Sequence, residues 1–288
     1  MSTHILENDR LRVSIADAGA ELLSAYDKTR QAERIWTGDP AIWNRHAPIL
    51  FPFVGKLIGG KYRIGDNEYA MKTQHGFARD MDFTCVEETA ASVTHLLESD
   101  DRTLEIYPYA FRLTVCHRLD GNRLRVAWTV ENPGGGRMLY SIGGHPGFLL
   151  PPGIRKEDCH ILFPGADALH YIHASKAGYA LPELRTLSPE GGRVRYQEDI
   201  PDTWIFEDAQ VKRVGIATPD GRPYAMMECE QFPMLAVWAN PNGPFICLEP
   251  WFGRTDDEGF TGTIDQKKGI QALDGGKKRE IAYTIEFC

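Results

Sequence analysis

The sequence predicts an all-β protein, a large antiparallel β-sandwich, and three observations carry that expectation. Apolar and polar residues alternate with period two along most of the chain, as they do where one face of a strand is buried and the other is not. Glycine (28) and proline (18) are spread between these runs, where short strands need turns. Convincing amphipathic helices are missing. Many short strands with frequent turns point to a sandwich or barrel.

The elements follow in chain order. "LRVSIA" (11–16) alternates throughout. "DPAIWNRHA" (39–47) is the candidate for one short helix, with Asp39 as cap and Pro40 in its first turn. "YRIGDNEYAM" (62–71), "SVTHLLES" (92–99) and "REIAYTIEF" (279–287) read as strands or hairpins. In "FRLTVCHRLDGNRLRVAWTVEN" (111–132), Asp120-Gly121-Asn122 separates two alternating runs, a strong hairpin signal. "NPGGGR" (132–137) and "LDGGKKR" (273–279) read as loops, and neither divides two compositions. There is no internal repeat. The expectation is a single domain over residues 1–288, a length ample to bury a core.

A net charge of −8 argues against nucleic acid or an anionic membrane as partner, because phosphate binding needs a basic surface. No stretch approaches the roughly 20 apolar residues of a membrane span. "MSTHILENDRLRV" at the N-terminus has no signal-peptide run. The six cysteines are scattered, and no pair has CxxC spacing, so neither a zinc knuckle nor a dithiol redox site is expected. These features predict a cytoplasmic, soluble protein with reduced thiols, no metal and no organic cofactor, acting as a monomer or homodimer.

One motif match is false. "GKLIGGK" (55–61) satisfies GxxxxGK, but Tyr62 follows instead of Ser or Thr. A phosphate loop needs that hydroxyl and a following helix, whereas the next segment is strand-like. HExxH, GxSxG and EF-hand patterns are absent.

Three stretches remain. In "TQHGFARDMDF" (73–83), His75 sits in a glycine-containing bend. It reads either as a loop histidine beside an Arg79 ion pair with Asp80 or Asp82, or as a substrate contact. In "SIGGHPGF" (141–148), glycines before and after His145 permit close backbone approach, and Pro146 fixes the chain behind it. In "NGPFICLEPWFGRTDD" (242–257), Glu249 ends an apolar run. A carboxylate there is costly to ionise, so its pKa rises unless donors surround it. A structural glutamate would have an arginine partner, with Arg254 the candidate, whereas an unpaired one suits acid–base chemistry. Trp251 offers an apolar face for stacking or for the core.

Taken together and in order, "ILFPFVGKLIGGKYRIGDNEYAMKTQHGFARDMDF" (49–83), "SIGGHPGF" and "ICLEPW" (246–251) resemble the aldose 1-epimerase (galactose mutarotase-like) superfamily. The likeness is greatest to its LacX-like bacterial branch, of which "HGFARD" is a signature, and it spans roughly residues 5 to 287. The resemblance implies the supersandwich fold and a small-molecule sugar substrate. It implies His145 as general acid and Glu249 as general base. His75, Arg79, Arg45 and Trp251 would bind substrate, and Asp202, near "DTWIF", would hold sugar hydroxyls. After the glutamate, "PWFGRTDDEGF" departs from the TQ-PDA type of the better-known galactose mutarotases, which puts the identity of the sugar in question.

Interconverting anomers requires a base at the anomeric hydroxyl and an acid at the ring oxygen. A partly buried glutamate and a histidine of ordinary pKa about 6.5 suit these roles, each transfer contributing about 10² to 10⁴ in rate. The substrate is then a free hexose or a hexose 6-phosphate, for which Lys56, Arg45 and Arg79 are the available cations. The competing readings are a non-catalytic sugar-binding or regulatory protein on the same scaffold, and a glycoside hydrolase pairing Glu249 with Asp202 at about 5 to 10 Å.

Overall fold

The computed structural model describes residues 2–288. The hairpin expected around Gly121 forms: Arg112–Asp120 and Arg123–Glu131 pair antiparallel from Arg112↔Glu131 to Asp120↔Arg123. Its alternation decides its faces. Leu113, Val115 and Leu119 on one strand, with Leu124, Val126, Trp128 and Val130 on the other, are buried, while Arg118 and Arg125 are exposed.

This hairpin lies within a nine-stranded sheet. Its order is Arg193–Arg195, His160–Leu162, Arg213–Ala217, Pro223–Glu228, Lys278–Phe287, Arg123–Glu131, Arg112–Asp120, Ser92–Glu98, Thr84–Glu88. An eight-stranded sheet runs Arg185–Leu187, Leu169–His173, Trp204–Phe206, Met234–Trp238, Phe245–Phe252, Ile142–Gly144, Ile49–Leu50, and Gly147–Leu149 also pairs with Phe245–Phe252. Four strands between Thr3 and Glu33 form a further sheet. Every strand pair is antiparallel among the described residues. The predicted antiparallel β-sandwich is the observed architecture.

One continuous apolar core joins the two large sheets, with Trp128, Ile281 and Tyr283 from the first meeting Phe206, Val237, Leu248 and Phe252 from the second. Strand alternation in the eight-stranded sheet then positions the site. Ile246, Leu248 and Phe252 enter that core, whereas Phe245, Cys247 and Trp251 fall in separate small clusters. The same split separates Leu235 and Val237 from Met234 and Ala236. Side chains two apart share a face. Glu249 therefore belongs with Cys247 and Trp251 on the face turned away from the main core.

Two local expectations change. Residues 39–47 make a single turn and no helix. Asp39 does cap it, its carboxylate accepting from Ala41 N at 2.9 Å and its carbonyl from Trp43 N at 2.8 Å. The next carbonyls are then claimed by tertiary partners: Ile42 O accepts from Asn240 Nδ2 at 3.1 Å, and Trp43 O accepts from Trp36 Nε1 at 2.8 Å. The helix that does form is Asp101–Ile106. Asp100 and Thr103 cap it reciprocally, each backbone N–H donating to the other's side chain at 2.8 Å. It stops at extended Tyr107, which precedes Pro108. Six residues are too few to show a 3.6-residue period.

A buried ion pair fastens the segment beside the site. Lys267 and Asp256 are both almost fully enclosed and bonded to each other, and Asp256 also accepts from Ile58 N at 2.8 Å. Breaking such a pair strands a buried charge. Lys267→Met is expected to destabilise the fold by about 3–5 kcal/mol. Lys267→Met with Asp256→Asn, which removes the charge but keeps an acceptor for Ile58, is expected to recover most of that loss. Urea unfolding midpoints measure both.

Candidate active site

His75 is placed by an unusual backbone. It has φ 66° and Gly76 has φ 70°, so the chain passes through two left-handed residues in succession. Gly76 must be glycine in this geometry, because a Cβ would lie 2.2 Å from Phe51 O. His75 N donates to Gly55 O at 2.7 Å, and Gly55 N donates back to His75 Nδ1 at 3.0 Å. Accepting at Nδ1 fixes the neutral tautomer with its proton on Nε2. Burial, with His145, Arg79 and Lys56 nearby, holds His75 well below the ordinary histidine value.

His145 follows strand Ile142–Gly144, and its neighbourhood explains the glycines before it. Gly143 lies against Trp251, where a Cβ would sit 2.5 Å from the indole Cδ1. The imidazole lies between aromatic rings, with centroids 4.9 Å from Trp43, 5.5 Å from Trp238 and 5.5 Å from His75. Burial pulls its pKa down to about 3.

Glu249 is 1% exposed at the middle of strand Phe245–Phe252, opposite Ala236. Arg254 is not its partner, since that guanidinium binds Glu207 at 2.7 Å and Asp257 at 2.8 Å. What faces Glu249 Oε2 is His145 Nε2, at 3.2 Å, without the alignment of a hydrogen bond. Burial pushes the carboxyl well above the usual carboxylate range. Both shifts favour the uncharged forms, a carboxylic acid beside a neutral imidazole.

These groups line a cavity of about 310 Å³, at the small end of the ~300–1,000 Å³ usual for small-molecule sites. Trp43, Trp238 and Trp251 wall it, and Gln74, Asn240, Thr203, Thr255 and Lys56 supply polar edges. A larger hollow of about 520 Å³ around Phe163–Leu169 gathers no histidine and no buried carboxylate. His145, Cys247 and Glu249 offer donor atoms within 4.8 Å of one another, and burial and Glu249 push the Cys247 thiol well above its ordinary pKa.

The structure thus brings together His75, His145, Glu249 and Trp251. Arg79 is partly buried and lowers the pKa of both histidines, though it does not line the cavity. Its Nε has no hydrogen-bond partner and lies 3.9 Å from Asp80. Arg45 bonds to the Asp80 carboxylate and, at 3.1 Å, to Arg79 O. Arg45 and Arg79 therefore act on the site from outside its walls, and Asp82 is exposed. Asp202 departs from its expected place. It is exposed at the end of a 3₁₀ turn, and its left-handed neighbour Thr203 (φ 59°) lines the cavity instead.

Sequence reasoning missed Trp43, Trp238, Gln74 and Asn240. Gln74 directly precedes His75, and Trp238 and Asn240 flank the end of a strand that leads into the turn "NPNG". Trp43 was hidden within the segment read as a helix.

The fold and sequence have close counterparts. A galactose mutarotase related enzyme from Lactobacillus acidophilus superposes with a TM-score of 0.93 at 28% identity, covering 100% of this chain and 97% of the other. A galactose mutarotase-like protein from Lactobacillus casei gives 0.91 at 29%, with 100% of both chains covered. The chromosomal protein LacX of Lactococcus lactis is 31% identical over 261 residues, 86% of this chain and 87% of that protein. The aldose 1-epimerase family model matches residues 2–249, and the chain belongs to the aldose 1-epimerase family.

Proposed function

We propose that this protein is an aldose 1-epimerase that interconverts the α and β anomers of a free hexose or related sugar. The observation that carries this reading is the His145–Glu249 pair, 3.2 Å apart in an aromatic-walled cavity, with burial raising the pKa of the carboxyl and lowering that of the imidazole. Anomer exchange needs that inventory: one group accepts a proton from the anomeric hydroxyl while the other gives one to the ring oxygen. After the open-chain carbonyl turns, the two transfers run in reverse on its other face.

Burial alone favours the proton on Glu249. A bound sugar changes that balance, because a hydroxyl donating to Oε2 supplies a hydrogen bond the carboxylate lacks and favours its charged form. The proton then passes to His145, leaving Glu249 as base and His145 as acid. His75 donates from Nε2 to a sugar oxygen, and the tryptophans offer apolar faces to the ring. None of these steps calls on a metal or organic cofactor.

The other readings find less support. Lys56, the cation on the cavity wall, donates to Ala177 O at 2.9 Å, and Arg45 and Arg79 both engage Asp80, so no cluster is set for a phosphate. A two-carboxylate hydrolase lacks its second acid, because Asp202 is exposed outside the cavity lining. A simple binder gains nothing from burying an unpaired glutamate against a histidine.

Polarimetry or exchange NMR on freshly dissolved α-glucose, α-galactose and glucose 6-phosphate is the test. Acceleration of a free sugar is expected. Glu249→Gln and His145→Ala are each expected to lower kcat by about 10² to 10⁴ while circular dichroism stays unchanged. Near-wild-type rates in either variant, or sugar binding without acceleration, would refute the reading.

The pH profile follows from the two shifts. A second proton reaches the pair only as the pH falls toward the His145 value of about 3, which removes the base. The single proton leaves only as the pH rises through the elevated Glu249 value, which removes the acid. The kcat/KM profile is therefore expected to fall on its acid side well below pH 6.5, the ordinary histidine value. An acid limb centred near 6.5 would show instead that His145 titrates freely.

A further inference from the structure

We propose that His4, Asp17, Cys85 and His95 form a zinc-binding site that clasps the N-terminal sheet to the edge of the nine-stranded sheet. None of the four lines the sugar cavity. One donor atom each from His4, Cys85 and His95 lies within 4.8 Å of the other two. Asp17 Oδ1 lies beside two of these, 2.9 Å from His4 Nε2 and 3.3 Å from His95 Nε2, and is the nearest candidate for a fourth donor. A tetrahedral ion with bonds of about 2.0–2.3 Å spaces its donors by roughly 3.3–3.8 Å, so an ion would part His4 from Asp17 slightly and draw the wider-set donors in. Two imidazoles, a thiolate and a carboxylate are a zinc combination, mixing borderline nitrogen with soft sulfur.

The surroundings have the form of a built site. His4 Nδ1 lies 2.9 Å from Glu88 Oε2. A carboxylate behind a histidine in this way orients the ring and leaves Nε2 to face a metal. The outer oxygen of Asp17 accepts from Ser2 N at 3.0 Å, which holds that carboxylate in place. His95 supplies the independent pointer. It is fully buried, and neither of its ring nitrogens has a hydrogen-bond partner. Leaving a buried polar group unpaired is destabilising, a penalty that a metal bond at Nε2 would remove. An ion-pair network of His4 and His95 with Asp17 and Glu88 accounts for those four residues, but leaves Cys85 without a role and His95 without an aligned hydrogen bond.

The topology gives the site its work. Cys85 and His95 are cross-strand neighbours on Thr84–Glu88 and Ser92–Glu98, with an irregularity in the pairing just after Cys85. His4 lies on strand Thr3–Glu7, and Asp17 directly follows Leu11–Ala16. The ion would thus join two sheets that share no strand pairing. His4 and Asp17 keep 12% and 19% of their side-chain surface in solvent, which gives an ion a way in. Binding forms the metal–sulfur bond and releases the Cys85 thiol proton to water, with no redox partner required.

The test is titration of metal-free full-length protein with Co²⁺ and then Zn²⁺. One Co²⁺ per chain is expected, with a thiolate-to-metal charge-transfer band in the near ultraviolet and the visible bands of a tetrahedral ion. One equivalent of Zn²⁺ should bleach the spectrum and raise Tm. Cys85→Ser is expected to lose the charge-transfer band, and Glu88→Gln to weaken affinity about 10–100-fold. His145→Ala should leave the spectrum intact, which separates this site from the donors around Glu249. No stoichiometric binding, a charge-transfer band that survives Cys85→Ser, or one that vanishes in His145→Ala would each overturn the proposal.

Discussion

The burial of Glu249 without a cation is the constraint on which the rest of the site depends. All eight residues of its strand are buried, and the one arginine nearby in sequence is held by Glu207 and Asp257. An isolated carboxylate in such a place neutralises instead of remaining charged. That forces a proton into the site, and the nearest group able to exchange it is His145. Aromatic rings of Trp43 and Trp238 pack against His145 and give it an apolar surround. On the proposed reading, burial is the largest influence that turns these two residues into acid and base, with Arg79 adding to the shift on His145.

The two-faced strand explains how a β-sandwich can hold such a pair. One face of the eight-stranded sheet closes the main core through Leu235, Val237, Leu248 and Phe252, so the strands are fixed independently of what the other face carries. Small or thin groups then make room on the functional side: Ala236 is opposite Glu249, and Gly143 lies against Trp251. Filling the Gly143 space would push the indole toward the cavity it walls. Packing in the core and chemistry on the opposite face are separable.

Legibility in the sequence followed the range of the interactions. Period-two alternation is local, so the strands and the Gly121 hairpin could be read directly. His75, His145 and Glu249 stood out because each sits in an unusual local setting, and the resemblance to a known family ordered them into one site. Asp202 failed because its left-handed neighbour Thr203 reaches the cavity instead, a backbone detail that no residue pattern announces. The turn at residues 39–43 failed because side chains distant in sequence, Trp36 and Asn240, take the carbonyls a helix would use. Cysteine spacing likewise cannot reveal a donor set drawn from residues 4, 17, 85 and 95, since sheet pairing alone brings Cys85 opposite His95.

The bend at His75 shows how precision at the site is maintained against local cost. A non-glycine residue in the left-handed region is strained by about 1–3 kcal/mol, so surrounding bonds must over-determine it. Here they do. His75 is tied to Gly55 through both its backbone N–H and its ring, and Ala78 N bonds to Phe51 O at 3.0 Å. The same contacts that hold the strained backbone also select the tautomer, because the Gly55 N–H occupies Nδ1. Relaxing the bend would release the ring and its Nε2 proton together. On the proposed reading, backbone strain and substrate recognition are coupled at this residue, which would account for a histidine at a position whose φ would suit glycine.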